Sequence, residues 1–292
     1  MTRFQTSWEI AKRSWAVLKS DKSLAWFPVL SLVASLVVLG IFAGLVAVIG
    51  IDSEGTKDAL QPVGWVLVAL GYLALAFVQT YFLAGLVAGA DKRLHGADST
   101  VRGALDVANS RLHRLLPWAI VSATVTMILN ALERQGIIGQ IVASLVGLAW
   151  SLVTFLTIPI LVIEDIGVGS ALKRSKDLFK KTWGENVVGQ AGLGIIGFVA
   201  MIPGFAVIAI GVATGSVVAT IVIGAVGVAW ILVASTVVAA LSGIYRTALY
   251  RFASSGEIPA GFAGVDFQGA FQPRRQNPRG MLGGGNEGIN PN

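Results

Sequence analysis

The stretch PILVIEDIGVGSALKRSKDLFKKTWGENVVG, residues 159–189, decides the fold class. It runs from the end of a long apolar segment, through a short basic one, into a second apolar segment. The same arrangement begins at the N-terminus and again near Ser99. Within the basic segment, Val168, Ala171, Leu172, Ser175, Leu178, Phe179 and Trp183 fall on one face of a helix, and Lys173, Arg174, Lys176, Lys180 and Lys181 fall on the other. A helix of that kind lies in the headgroup layer with its apolar face inward.

Working outward, the first 22 residues repeat the pattern. Phe4, Trp8, Ala11, Trp15 and Leu18 share one face, and Glu9, Lys12, Arg13 and Lys19 lie elsewhere. A second copy starts after Ser99-Thr100, which suit an N-cap, with Val101, Ala104, Leu105, Ala108, Leu112 and Leu115 as its apolar face. Lys12-Arg13-Ser14 in the first copy echoes Lys173-Arg174-Ser175 in the third.

The apolar segments are long and continuous. Of 292 residues, 54% are hydrophobic and 13% charged, and the mean hydropathy is +0.74. A soluble domain carries about 25% charged residues, so the chain reads as a membrane protein. Runs that do not alternate apolar with polar exclude a barrel. Six spans are expected, at about 24–49, 63–90, 116–131, 137–163, 187–212 and 217–249, each pair joined by a turn. The fold class is therefore all-α and polytopic. Three repeats of interfacial helix plus transmembrane hairpin are expected at about 4–90, 99–163 and 168–250. They form a membrane domain over 1–252, and the Gly-, Pro-, Asn- and Arg-rich residues 253–292 are expected to be a disordered cytoplasmic tail.

Twenty of the 22 basic residues fall on the side of the three interfacial helices and the termini, against Lys57 and Arg134 on the other. That asymmetry predicts a cytoplasmic-membrane protein with both termini inside. It also explains the pI of 9.8 without nucleic acid. Span 6 exceeds the bilayer, so Arg246 and Arg251 are expected to project into the cytoplasm, and the spans themselves are read as free of ionisable residues.

Little in the chain points to chemistry. There is no cysteine, and the two histidines, His95 and His113, both sit between spans 2 and 3. No metal or cofactor is expected. Glu164-Asp165 is read as serving the N-terminus of the basic helix that follows. Small and polar residues form stripes: Ser122, Thr126 and Asn130 in span 3, and Gln140, Ser144, Ser151 and Thr154 in span 4. Close helix packing is the commoner use of such stripes, and the lining of a solute path is the alternative. Pro159 and Pro203 read as packing kinks.

LPWAIVSATVTMIL (116–129), VGLAWSLVTFLTIPILVIEDIG (146–167), ALKRSKDLFKKTWGENVVG (171–189) and SWEIAKRSWAVLKSDKSLAWFPVLS (7–31) resemble a bacterial family of integral membrane proteins, domain of unknown function 6159. More loosely, the chain is similar to the membrane halves of some bacterial glycerophosphodiester phosphodiesterases, a likeness that supplies no reaction without their soluble domain. The resemblance implies a cytoplasmic-membrane protein and carries no activity.

The function expected is a non-enzymatic scaffold. It would contact anionic membrane lipids, or an unidentified membrane-protein partner, through Lys12, Arg13, Lys173, Arg174, Lys180 and Lys181. A permease or channel for a small neutral or amphiphilic solute, lined by the stripes, is the alternative. A lipid-modifying enzyme using Glu164 and Asp165 ranks last.

Overall fold

A computed structural model describes residues 3–51, 57–181, 183–259 and 261–263, with the side chains of 3–7, 49–51, 57–62, 181 and 183–191 left out of the description. Residues 52–56 of the expected polar loop, the side chains of Lys57, Asp58, Lys181 and Trp183, and the tail from residue 264 lie outside what is described.

The chain is helical along its described length. In order come α1 (Arg3–Ser20), a one-turn 3-10 helix (Lys22–Ala25), α2 (Trp26–Ile51), α3 (Lys57–Leu94), α4 (Val101–Ser110) and α5 (Leu112–Glu133). They are followed by α6 (Gly136–Thr154), α7 (Thr157–Ile163), α8 (Val168–Lys181), α9 (Trp183–Ala213) and α10 (Val217–Ser255). Six stretches are long and apolar enough to cross a membrane: Lys22–Val48, Val63–Leu94, Leu112–Glu133, Gly136–Ile163, Gly192–Ala213 and Val217–Ser255. The protein is a multi-pass helical membrane protein, as the charge-free runs require.

Local chemistry sets the boundaries. Pro28 falls in the first turn of α2, where a missing N–H costs nothing. Thr100 caps α4 by accepting the N–H of Gly103, and Ser216 caps α10 by accepting that of Ala219. Gly136 and Gly215 take positive φ (84° and 67°) in the two described hairpin turns, and Gly256 (75°) stops α10.

Burial is concentrated at one end, which we call the basic end because it carries α1, α4 and α8. There Leu24 and Phe27 open the first span, and Ala84 to Ala90 close α3. Leu115 and Trp118 open α5, Leu156 and most of α7 are buried, and buried residues from Ala240 to Phe252 line the last turns of α10. α3 is central, touching α2, α4, α5, α7 and α10. Toward the other end the apolar side chains are bare: Val48 is 64% exposed, Ile138 78% and Val217 75%. So much exposed apolar surface is untenable in water and ordinary against acyl chains.

The short helices pack on protein. α8 buries Ala171, Ser175, Leu178 and Phe179 and leaves Lys173, Lys176 and Lys180 exposed, the division its sequence pattern predicts. Burying a side chain such as Leu178 is worth about 1.5–3 kcal/mol over leaving it in water. α1 differs from its expected orientation. Its buried face is Ile10, Ala11, Ser14, Val17 and Leu18, set against α9 and α10, while Trp8 and Trp15 remain 58% and 46% exposed. The face centred on Ser14 meets protein because small residues let α1 come close, and the bulky indoles stay at the flank.

Two expectations shift. Span 4 is broken at Phe155-Leu156, before Pro159, so Pro159 sits in the first turn of α7. The packed chain also outlasts residue 252, where the tail was expected to begin. α10 runs to Ser255, and beyond it Phe262 is fully buried, with Gly261 (φ 91°) beside Val17 of α1.

Candidate functional site

The basic end is held by ion pairs between neighbouring helices. Arg251 of α10 grips Asp91 of α3 at 2.6 and 2.7 Å. Asp165 takes a positive φ (52°) at the α7–α8 corner, which Asp tolerates better than most residues. There it receives Arg111 at 2.6 Å and Arg114 at 3.3 Å. Glu164 accepts from Arg174 (3.2 Å) and from the Tyr250 hydroxyl (2.9 Å). Both carboxylates of the pair singled out in the sequence are thus engaged by cations from other helices. Among the described residues no three His, Cys, Asp or Glu side chains gather as a metal site.

Asp21 plays the same part between α1 and α4. It accepts the Ser99 hydroxyl at 2.7 Å and the Ser23 N–H at 3.0 Å. Burial works to raise its pKa, and the hydrogen bonds from Ser23 and Ser99 prevail and hold it below the usual carboxylate value.

Ser175, the last residue of the Lys-Arg-Ser motif on α8, enters the break in span 4. Its hydroxyl donates to the Val153 carbonyl at 2.5 Å and accepts the Leu156 N–H at 3.3 Å, satisfying two backbone groups that the interruption leaves free. Ser14, the matching residue on α1, is just as buried, and its hydroxyl meets no partner among the described residues.

Above this packed end, between α2, α3, α5 and α10, lies a half-enclosed cavity of about 700 Å³. Its uncharged polar lining comes from Ser31, Gln79, Thr80, Ser122, Ser235, Thr236 and Ser242. Ser31 donates to Gln79 at 3.2 Å, and the Gln79 amide donates onward to Ser35 at 3.1 Å. Phe27, Leu83, Trp118 and Ile158 supply apolar wall. Trp118 is stacked on Trp150 of α6, centroids 5.9 Å apart, which fixes its ring.

Arg246 borders the same cavity. It was expected to project into the cytoplasm; instead its guanidinium carbon lies 4.8 Å over the Phe155 ring, at the break in span 4. Its Nε is enclosed without a hydrogen-bond partner among the described residues. The reason is the company α10 keeps: α7, α8 and α1 cover its last turns, so a stretch that counting residues puts outside the bilayer is inside protein.

The residues expected to line a path are placed differently. Ser122 borders the cavity. Thr126 bonds back to the Ser122 carbonyl and Thr154 to that of Trp150, within their own helices. Asn130 donates to the Tyr72 hydroxyl at 3.2 Å, tying α5 to α3. Gln140, Ser144 and Ser151 are exposed on α6, away from the cavity. Of the basic residues expected to meet lipid or a partner, Lys12, Lys173 and Lys180 are exposed, Arg13 is half-buried, and Arg174 is drawn to Glu164. Ser235 belongs to the small-residue stripe that the sequence offers in span 6, and the rest of the α10 lining had a signal too. Ser235, Ala239, Ser242 and Arg246 are spaced +4, +3, +4, a small-residue face ending in an arginine.

No curated protein and no solved structure matches the chain. One family model does match, over residues 62–262, from within α3 to just past the end of α10. The chain belongs to that family, DUF6159, a family of unknown function.

Proposed function

We propose that this is a non-enzymatic lipid-binding protein of the cytoplasmic membrane, which holds an amphiphile in the cavity between its hairpins with its basic end at the cytoplasmic face. The cavity carries the reading. Its volume falls in the range of ligand sites, about 300–1,000 Å³, and it mixes hydroxyls and an amide with aromatic and aliphatic wall. With Val217 at one edge of a hydrocarbon core of about 30 Å, α10 leaves the core after about 20 residues. Ser235 then stands at the inner edge of the core, and Arg246, about 16 Å further along the helix, stands beyond it within the protein-packed basic end. A site with a polar mouth and a deeper apolar wall suits an amphiphile better than a small polar solute. The lining residues lie toward the basic end of their helices, which favours holding a molecule over conducting one across.

The test is lipid retention. Full-length protein extracted in mild detergent is analysed by native mass spectrometry beside Ala239→Trp and Ala76→Trp, which fill the cavity, and Val222→Trp, which adds an indole to a bare surface. Loss of a co-purifying lipid in the first two alone supports the proposal. Equal retention in all three rejects it.

A second reading rests on Lys12, Lys173 and Lys180, exposed and outside any ion pair among the described residues. Each attracts anionic headgroups by about 1 kcal/mol, which suits a scaffold on an anionic bilayer or an acidic partner. If replacing all three by Gln leaves salt-sensitive binding to anionic vesicles unchanged, that reading fails.

A further inference from the structure

We infer that the cavity selects an anionic amphiphile, a single- or double-chain lipid bearing a carboxylate or phosphate, with Arg246 as the residue that receives the headgroup. The inference rests on the lipid-binding reading above and adds the ligand's charge.

Five other half-buried arginines at this end meet carboxylates, while Arg13 of α1 enters no ion pair among the described residues. Arg93 pairs with Asp98, Arg111 and Arg114 with Asp165, Arg174 with Glu164, and Arg251 with Asp91. Arg246 enters no ion pair among the described residues, and its Nε is sealed from solvent without an acceptor. A guanidinium cannot escape by losing its proton. Charge removed from water is tolerated when it is paired, and an unpaired one is costly. The Phe155 ring at 4.8 Å offers partial compensation on one face. The counter-charge missing from the chain is what an anionic ligand supplies, and the guanidinium fork matches carboxylate and phosphate oxygens two at a time.

The rest of the cavity suits the remainder of such a molecule. From Arg246 to Ser235 the lining follows about 16 Å of α10. Ser242 and Thr236 lie along that line, able to bond glycerol or ester oxygens, and Phe27, Leu83 and Trp118 face the deeper part.

The experiment uses the purified full chain and three probes with the same sixteen-carbon tail: palmitate, lysophosphatidate and the neutral monoacylglycerol. Wild type is expected to bind one or both anions at least about tenfold more tightly than the neutral probe. Arg246→Gln should abolish that preference while keeping neutral binding, and Arg246→Lys should restore part of it. The stronger of the two anions identifies carboxylate or phosphate as the headgroup. Equal affinity of wild type for all three probes, with binding still lost in Ala239→Trp, overturns the charge selection and leaves the lipid-binding reading standing. A preference undiminished in Arg246→Gln overturns the role of Arg246. Binding of any probe unaffected by Ala239→Trp removes both.

Discussion

Arg251 holds Asp91 through two of its nitrogens, Nε at 2.6 Å and a terminal nitrogen at 2.7 Å, joining the last turns of α10 and α3 across 160 residues of sequence. The geometry is the fork-on-carboxylate arrangement that a lysine cannot reproduce. The pair is mostly covered without being sealed off, with side-chain exposures of 28% and 19%. Its loss should therefore cost more than a surface pair and less than a fully buried one, about 1–3 kcal/mol. Arg251→Ala and Asp91→Asn are each expected to lower the thermal midpoint of the detergent-purified protein. The double variant should be little worse than either, because the two share one interaction. Additive losses would show that the residues act separately.

The two Lys-Arg-Ser motifs should respond in opposite directions. Ser175→Ala removes a hydroxyl that serves the Val153 carbonyl and the Leu156 N–H, leaving both buried and unpaired, at about 1–3 kcal/mol. Ser14→Ala removes a buried hydroxyl that has no partner among the described residues, so it should be neutral or stabilising. Thermal denaturation of the two single variants checks this directly. A large loss in Ser14→Ala would mean that the α1 hydroxyl is bonded after all.

That contrast also marks the limit of what the sequence makes legible. The six spans and the faces of α4 and α8 follow from features local to each segment: charge-free length and the 3.6-residue period. The break at Phe155-Leu156 does not, because it is completed by Ser175, twenty residues on. Arg246 reads as cytoplasmic by residue count because nothing near it in sequence announces Phe155 or the helices that cover it. The cavity was passed over for a related reason. Gln79 and Thr80 are an isolated polar pair in an apolar stretch of α3, and the bonds of Gln79 with Ser31 and Ser35 from α2 make it part of a wall. Serine and threonine stripes proved ambiguous, since Thr126 and Thr154 satisfy themselves on their own helices.

Asp21 gives the basic end a dependence on acid. Its folded pKa lies below the unfolded value of about 3.9, so its ionised form favours the folded state. The contribution is complete above the unfolded value and is lost as pH falls through the folded one. Measured from pH 6 to pH 3, the thermal midpoint of wild type should fall further than that of Asp21→Asn, with the two curves converging at the acid end. Parallel curves would place the acid sensitivity elsewhere.

The α9–α10 hairpin depends on two glycines facing one another. A Cβ on Gly227 would come within 2.6 Å of the Gly204 carbonyl oxygen, and one on Gly204 within 2.8 Å of the Gly227 oxygen. Backbone atoms cannot swing aside, so the helices must separate. Gly204→Ala and Gly227→Ala should each destabilise by about 1–3 kcal/mol. Gly224→Ala, on the same helix with nothing within 4 Å, should be neutral or gain up to about 1 kcal/mol from helix propensity. A similar loss at all three positions would mean that helix contact at Gly204 and Gly227 is not the cause.

The absence of cysteine makes the proposed orientation directly measurable, because any introduced thiol is the only one in the chain. Ser110, at the end of α4, and Ser255, at the end of α10, lie at the basic end, and Ser216 lies in the α9–α10 turn at the other. The Lys and Arg asymmetry predicts a cytoplasmic basic end. In intact cells a membrane-impermeant maleimide should then label Ser216→Cys and spare Ser110→Cys and Ser255→Cys, and lysis should expose the latter two. Labelling of Ser255→Cys in intact cells would invert the protein. The cavity mouth at Arg246 would then face the outer leaflet, and the lipids available to it would be those of the opposite surface.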